Sequence, residues 1–420
     1  MSRLRTSALP VLFAVLGAAH AAARAEEIKD IKWSFSGEAR FRPEWRDNAD
    51  LNSAINDDLR QGFMRLRLGV GATIKERYRV FFQAQDSRVA GEETTTSSNQ
   101  KNLDLHQGYA EITQGRFRVA LGRQEWFYGE HRMIGNFSWN NVGRAFDGVR
   151  ARYARARFFL DALAAQISTT VTSGASRGSE LYGLYSQTAP RPGAEYEGYW
   201  LGFSDHVAAA GETGGPGTTR IRALGARAKD RFGRFDFVAE AVAETGDVQG
   251  DALSARAAAA QAGLTWGAGA KVRAFAGYDI ATGDEDPADG RREEFFNFFP
   301  TNHPHYGYMD YEGWRNIRSP YAGAAFTRGR HFIQVKAHRF SLDQARGPWK
   351  DAAGTVLGSD PNGASGRSVG REIDLTYRYA WTETALLEGG WSRFRPGRFA
   401  RMTRGNDVSL WAYLMLTFTF

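Results

Sequence analysis

Cysteine is absent from the 420 residues, which excludes disulfides, thiolate metal sites and a thiol nucleophile. Long apolar runs are scarce as well. Beyond residue 25 none approaches the ~20 residues that a membrane helix needs, and the early run ALPVLFAVLGAA is shorter still. That run follows Arg3 and Arg5 and precedes Ala23-Arg24-Ala25. The order of positive flank, short apolar core and A-x-A site reads as a secretory signal peptide cut after Ala25. Residues 26–420 then form the exported domain, without covalent staples. A strong excess of one charge is missing too: formal charge is +7, and loss of Arg3, Arg5 and Arg24 leaves 51 basic against 47 acidic residues. So small an excess says little about partners until the charges are placed.

What the chain does contain is alternation with a period of two. In IKWSFSGEARFRPEWR, residues 31–46, Ile31, Trp33, Phe35, Ala39, Phe41 and Trp45 alternate with Lys32, Glu38, Arg40, Arg42, Glu44 and Arg46. Residues 64–75, 271–280, 372–381 and 408–420 repeat the pattern, and no stretch shows a comparably long helical period. The chain is therefore expected to be all β. Tight connections near residues 74–77, 113–116, 153–156, 229–234, 266–270, 328–331 and 381–383 alternate with long polar ones. The long ones lie at 47–60, 87–102, 125–143, 169–178, 206–218, 245–252, 282–318, 343–370 and 396–407. A further turn at APRPGAE, residues 189–195, completes the alternation. Short periplasmic turns and long outer loops characterise outer-membrane barrels. The spacing predicts eighteen antiparallel strands with both termini on the periplasmic side. Phe420 at the end of the last strand resembles the insertion signal of such proteins.

A soluble secreted β-protein alternates as well, with the polar face outward. Energetics choose between the two registers in lipid: a basic residue costs roughly 2–4 kcal/mol at the bilayer midplane, so Arg40 and Arg42 must look into the lumen. Trp33 and Trp45 then fall near the two interfaces. The same rule turns Arg65, Arg67, Arg77, Arg79, Arg116, Arg118, Arg150, Arg152, Arg234, Lys271, Arg273 and Arg378 inward. Same-face neighbours lie about 7 Å apart, inside the ~8 Å screening length at physiological salt. A pore so lined favours anions, with guanidinium forks suited to carboxylates. Glu38, Glu44, Asp236, Glu240, Glu244, Glu372 and Asp374 also point inward, and a lumen of paired, purely structural charges is the competing expectation. Basic residues that alternate along strands instead of clustering on one surface disfavour nucleic acid.

One long segment is distinctive. LGRQEWFYGEHRMIGNFSWNNVGRAFDGVRARY, residues 121–153, resembles the signature of the alginate export family of outer-membrane porins. Gly122, Arg123, Gln124, Gly143, Arg144, Phe146, Asp147 and Gly148 carry the likeness. TGDEDPADG and FFNFFPTNHPHYGYMD, within residues 282–310, resemble a second family segment. The resemblance implies an eighteen-stranded barrel with an electropositive lumen in the bacterial outer membrane. It also implies anionic polysaccharide (an alginate-like polyuronate) or small organic anions as solute, and no cofactor. A monomeric barrel surrounded by lipid and lipopolysaccharide is expected. The tight turn at Trp381-Thr382-Glu383 departs from the family's alginate exporter, which carries a long periplasmic plug there.

Weaker motifs compete with this reading. GASRG (174–178) and GRSVG (366–370) match the hydrolase pattern G-x-S-x-G, which needs a strand before and a helix after the serine; a barrel hydrolase is the rival function. Asp284, Asp286 and Asp289 are weak calcium candidates, out of register with an EF-hand loop. His303 and His305 lack a third ligand at useful spacing and are assigned no metal.

Overall fold

The computed structural model describes residues 31–93, 102–172 and 175–420, and the leader assigned to residues 1–25 lies outside them. Eighteen antiparallel strands close into an up-and-down barrel. Each pairs with its neighbours in the chain, and the first, Ile31–Asp47, pairs with the last, Ser409–Thr419. Closure removes the unpaired edges that lipid would not satisfy.

Alternation fixes which face meets which solvent. On the first strand Arg40 and Arg42 are buried, whereas Phe35 is 72 % exposed and Trp33, Phe41 and Trp45 are exposed beside it. The second strand, Leu59–Ile74, buries Arg65 and Arg67 and exposes Leu66, Leu68 and Val70. The pairing sets Arg40 opposite Arg65 and Glu38 opposite Arg67 on the inner face. Apolar side chains thus clothe the outside and charged ones the inside, the reverse of a soluble sheet.

The turn at APRPGAE joins the strands Ala175–Thr188 and Glu195–Ala210, where the Ala194 N–H donates to the Arg191 carbonyl at 3.1 Å. Three of the expected long loops are instead strand. Phe158–Thr172 runs nearly into Ala175–Thr188, Glu195–Ala210 is joined to Pro216–Phe232 through residues 211–215, and Phe235–Val248 turns into Asp251–Trp266 through residues 249–250. The backbone ladder continues past the membrane, where water on both sides lets alternation fade from the sequence. The remaining connections carry little regular structure. Residues 282–316 hold only Arg291–Arg292, residues 343–367 a small hairpin of Trp349–Lys350 with Val356–Gly358, and residues 397–408 the helix Arg398–Thr403.

Candidate conduction path

Two connections fold into the barrel instead of standing above it. Residues 125–145 cross the lumen and touch several walls. Arg40 donates to the Ser138 and Asn140 carbonyls at 2.8 and 3.0 Å, and Arg65 to the same two oxygens at 3.1 and 3.0 Å. Arg42 donates to the Trp139 carbonyl and stacks over that indole at 4.0 Å, while Arg67 reaches the Val142 carbonyl at 3.0 Å and Glu125 at 3.1 Å. On the far walls, Tyr128 donates to Asp161 at 2.6 Å and Arg132 to Asp279 at 3.0 Å. Arg227 grips Glu130 there, together with Glu195 at 3.0 Å and Glu197 at 2.9 Å. Loop carbonyls thus hold the innermost arginines of the first two strands without cancelling their charge, but Glu44 also pairs with Arg42 at 2.7 Å and Glu38 with Arg65 at 2.6 Å.

The second inward segment lies in residues 295–316. His303 stacks on Trp139 at 4.1 Å and on Tyr308 at 4.9 Å, so the two loops share one aromatic pile with Trp411 and Tyr413 of the last strand. Its Nδ1 lies 3.0 Å from Asp310, and His305 Nε2 donates to the Glu130 carbonyl at 2.7 Å. Arg46 donates to the Met309 carbonyl at 2.8 Å, the Met309 N–H to Glu372 at 2.9 Å, and Lys336 to the Pro304 and His305 carbonyls. Burial lowers the Arg132 pKa, but the charge of Asp279 more than offsets it and holds the guanidinium protonated.

The distinctive residues of 122–148 build the root of this arrangement. Gly122 has φ +126° inside a strand, and a Cβ there would sit 2.3 Å from the Gly108 carbonyl, so only glycine fits. It faces Gly148 across the pair of strands Phe117–Gln124 and Phe146–Arg155. Buried Gln124 donates to the Gly122 carbonyl at 3.3 Å, and Arg123 forms a two-bond pair with Asp147, both at 2.8 Å, on the outer face. Phe146 stacks on Trp126 at 5.0 Å, and the Gly143 N–H donates to Asn140 at 3.3 Å. Arg144 donates to the Gly135 carbonyl at 3.0 Å and the Pro300 carbonyl at 2.9 Å, tying the two inward loops together. Burial lowers its pKa to about 10.

Below the loops, toward the short turns, one wall keeps a basic surplus. Arg79, Arg118, Arg150 and Arg152 lie on inward positions of the third, fifth and sixth strands. Arg152 is bound by Asp161 at 2.6 and 2.7 Å, Arg118 lies 3.5 Å from Glu111, and Arg79 stacks 5.3 Å over Phe81. On the opposite wall Arg273 is paired with Asp236 at 3.0 Å, Arg378 with Glu388, and Lys271 is exposed near the strand start. Three expected lumen residues are placed otherwise. Arg77, Arg116 and Arg234 sit in the tight turns and are exposed, because a turn leaves the pleat and the period-two rule stops with it.

The calcium candidates do not converge. Asp284 is buried against Glu212, Asp286 lies 3.9 Å from Arg346, and Asp289 accepts the Arg291 N–H at 2.8 Å. Among the described residues no group of three His, Cys, Asp or Glu side chains could hold a metal ion. The hydrolase elbows also lack their context: the strand Ala175–Thr188 contains Ser176 and Ser368 opens Ser368–Ala380, so a strand follows each serine in place of a helix. Gly174 of the first motif lies outside the described residues. Sequence reading also missed Arg227, which alternation between exposed Ala226 and half-buried Ala228 could have found, and Arg132, which no periodicity could.

A family profile described as Alginate export matches residues 32–410. No curated protein matches the chain. Solved structures share its fold at low identity. Pseudomonas aeruginosa OccK9 (OpdG) is 12% identical with a TM-score of 0.63, covering 94% of this chain and 99% of its own. Pseudomonas aeruginosa OccK11 (OpdR) is 11% identical at 0.60, covering 92% and 96%. Acinetobacter baumannii OccAB2 is 10% identical at 0.61, covering 93% and 98%.

Proposed function

The chain belongs to the alginate export family, and from that premise we propose that this outer-membrane channel is passive, prefers anions and passes small organic acids. One observation carries the reading. Arg79, Arg118, Arg150 and Arg152 face the lumen from the third, fifth and sixth strands, and among the described residues of this stretch of wall Glu111 and Asp161 are the carboxylates that oppose them. Such a surplus in a water-filled funnel with low-dielectric walls raises the local concentration of anions. The arginines held by carbonyls above add charge that no carboxylate neutralises at Arg40. Two loops that cross the lumen favour a compact solute over a thick hydrated chain.

The family description supports a second reading, passage of an alginate-like polyuronate. Planar-bilayer recording in a KCl gradient tests both. Reversal toward the chloride potential, reduced in Arg79→Gln/Arg118→Gln/Arg150→Gln, supports anion preference; reversal toward the potassium potential overturns it. Leakage of uronate oligomers from proteoliposomes at the rate of small carboxylates would move the assignment to polysaccharide.

A further inference from the structure

Several arginines on the outer wall have carboxylate partners. Besides Arg123 with Asp147, Arg318 reaches Asp343 at 2.7 Å and Arg88 reaches Asp86 at 2.7 Å. On the adjacent strands His331–Leu342, Ser368–Ala380 and Ala385–Pro396 arginines face one another instead. Arg339 stands directly opposite Arg371, and Arg371 directly opposite Arg395; Arg393 lies one same-face position lower, opposite Ile373. All four are exposed, and their neighbours His338, Glu372, Ser392 and Phe394 are buried, so the arginines point out of the barrel. Among the described residues, no hydrogen bond, ion pair or ring contact engages any of the four side chains.

Their height is read from the same ladder. Val335, Leu375 and Trp391 form the outward row two positions below the upper arginines, and each is at least 40 % exposed. Tryptophan on a barrel's outer face marks the boundary between hydrocarbon and headgroups. At ~3.3 Å per residue and a tilt of ~40°, Arg393 stands about 5 Å and the upper row about 10 Å beyond it, on the long-loop side. Like charges directly opposite on a sheet face repel, so three in a row have no stabilising arrangement within the chain itself. A phosphate among them reverses the sign, and guanidinium forks match phosphate oxygens.

We propose that this face binds the phosphorylated headgroup of an outer-leaflet glycolipid, with its acyl chains lying on Val335, Ile373 and Leu375. Strands ~4.8 Å apart bring the three upper guanidiniums within the span of one sugar-phosphate headgroup. The apolar rows directly beneath commit the site to a lipid and not to free phosphate. The inference rests on the barrel and its register and is independent of what the lumen passes.

Native mass spectrometry of the purified barrel in maltoside micelles tests it, with diphosphorylated lipid A, dephosphorylated lipid A and inorganic phosphate as separate titrants. The diphosphorylated lipid is expected to bind at least tenfold more tightly than the dephosphorylated one. Arg339→Gln/Arg371→Gln/Arg393→Gln/Arg395→Gln should abolish that preference, whereas Arg222→Gln/Arg256→Gln on other strands should keep it. Equal binding of the two lipids by the unaltered protein overturns the proposal, as does displacement of the lipid by inorganic phosphate at equal concentration. The comparison of lipids needs no variant, so a quadruple variant that fails to fold leaves the test intact.

Discussion

Replacing Arg40 by Met is expected to loosen the inward loop 125–145 without disturbing the barrel wall. Arg40 holds the backbone of that loop through two bonds, to the Ser138 carbonyl at 2.8 Å and the Asn140 carbonyl at 3.0 Å, beside a long contact of 3.5 Å with Asn141 Oδ1. A bond from a charged donor is worth about 1.5–3 kcal/mol. Both carbonyls keep a second donor in Arg65, so the lower figure applies and the loss is about 3 kcal/mol. Arg40 also stands directly opposite Arg65, and removing one of two facing like charges returns up to ~1 kcal/mol. The net shift of about 2 kcal/mol corresponds to roughly thirtyfold in the equilibrium between seated and released loop. Single-channel recording reads this as about thirtyfold more time in a larger-conductance state, provided the released fraction is still small. Arg40→Lys should fall between, since one ammonium cannot bridge two carbonyls in the fork geometry. Unchanged conductance levels and dwell times in a variant that still migrates as a heat-modifiable barrel would refute the reasoning.

Other perturbations have definite signs. Arg132→Met leaves fully buried Asp279 without its partner at 3.0 Å and should cost about 3–5 kcal/mol, read as a lower urea midpoint in detergent and largely restored by adding Asp279→Leu. Gly122→Ala places a Cβ 2.3 Å from the Gly108 carbonyl at φ +126°; a cost of about 1–3 kcal/mol should appear as reduced yield of folded barrel and a lower midpoint. Burial and the Glu212 carboxylate raise the Asp284 pKa to about 7. Stabilisation of residues 283–293 by the protonated carboxyl is therefore full below about pH 4 and lost as pH rises through about 7. Hydrogen exchange in that segment should quicken over this window, and Asp284→Asn should flatten the profile.

Most of the barrel was legible because lipid imposes a rule that each strand obeys locally. The inward turn of Arg40, Arg42, Arg65 and Arg67 follows from alternation alone, and the burial of all four agrees with it. The count of eighteen strands survived misjudged loops because each polar stretch still marks a reversal of the chain, even where strands such as Phe158–Thr172 run on into it. What alternation could not show is where an irregular segment goes. Ser138, Trp139 and Asn140 offer their backbone carbonyls to the arginines, and a carbonyl acceptor is the same in every residue. The folding of residues 125–145 into the lumen was therefore invisible in side-chain chemistry, although the unusual motif around Gly122 and Arg144 marked both ends of that loop.

The fate of each arginine is set by what the fold brings opposite it. Arg152 meets Asp161 and becomes neutral in sum; Arg40 meets carbonyls and keeps its charge while losing its freedom; Arg371 meets two more arginines and is left for an outside anion. A tally of inward basic positions therefore overstates the field that a solute meets, because paired members drop out. The members bound to carbonyls remain, since a dipole satisfies a guanidinium without cancelling its charge. It follows that anion preference should depend on Arg40 electrostatically even though it is occupied structurally, whereas Arg65, paired with Glu38 at 2.6 Å, drops out. Arg40→Lys, which keeps the charge, should therefore hold chloride preference, whereas Arg40→Met should weaken it as well as loosen the loop. A change in conductance with no change in reversal potential would mean instead that the charge behind the loop is screened from the path.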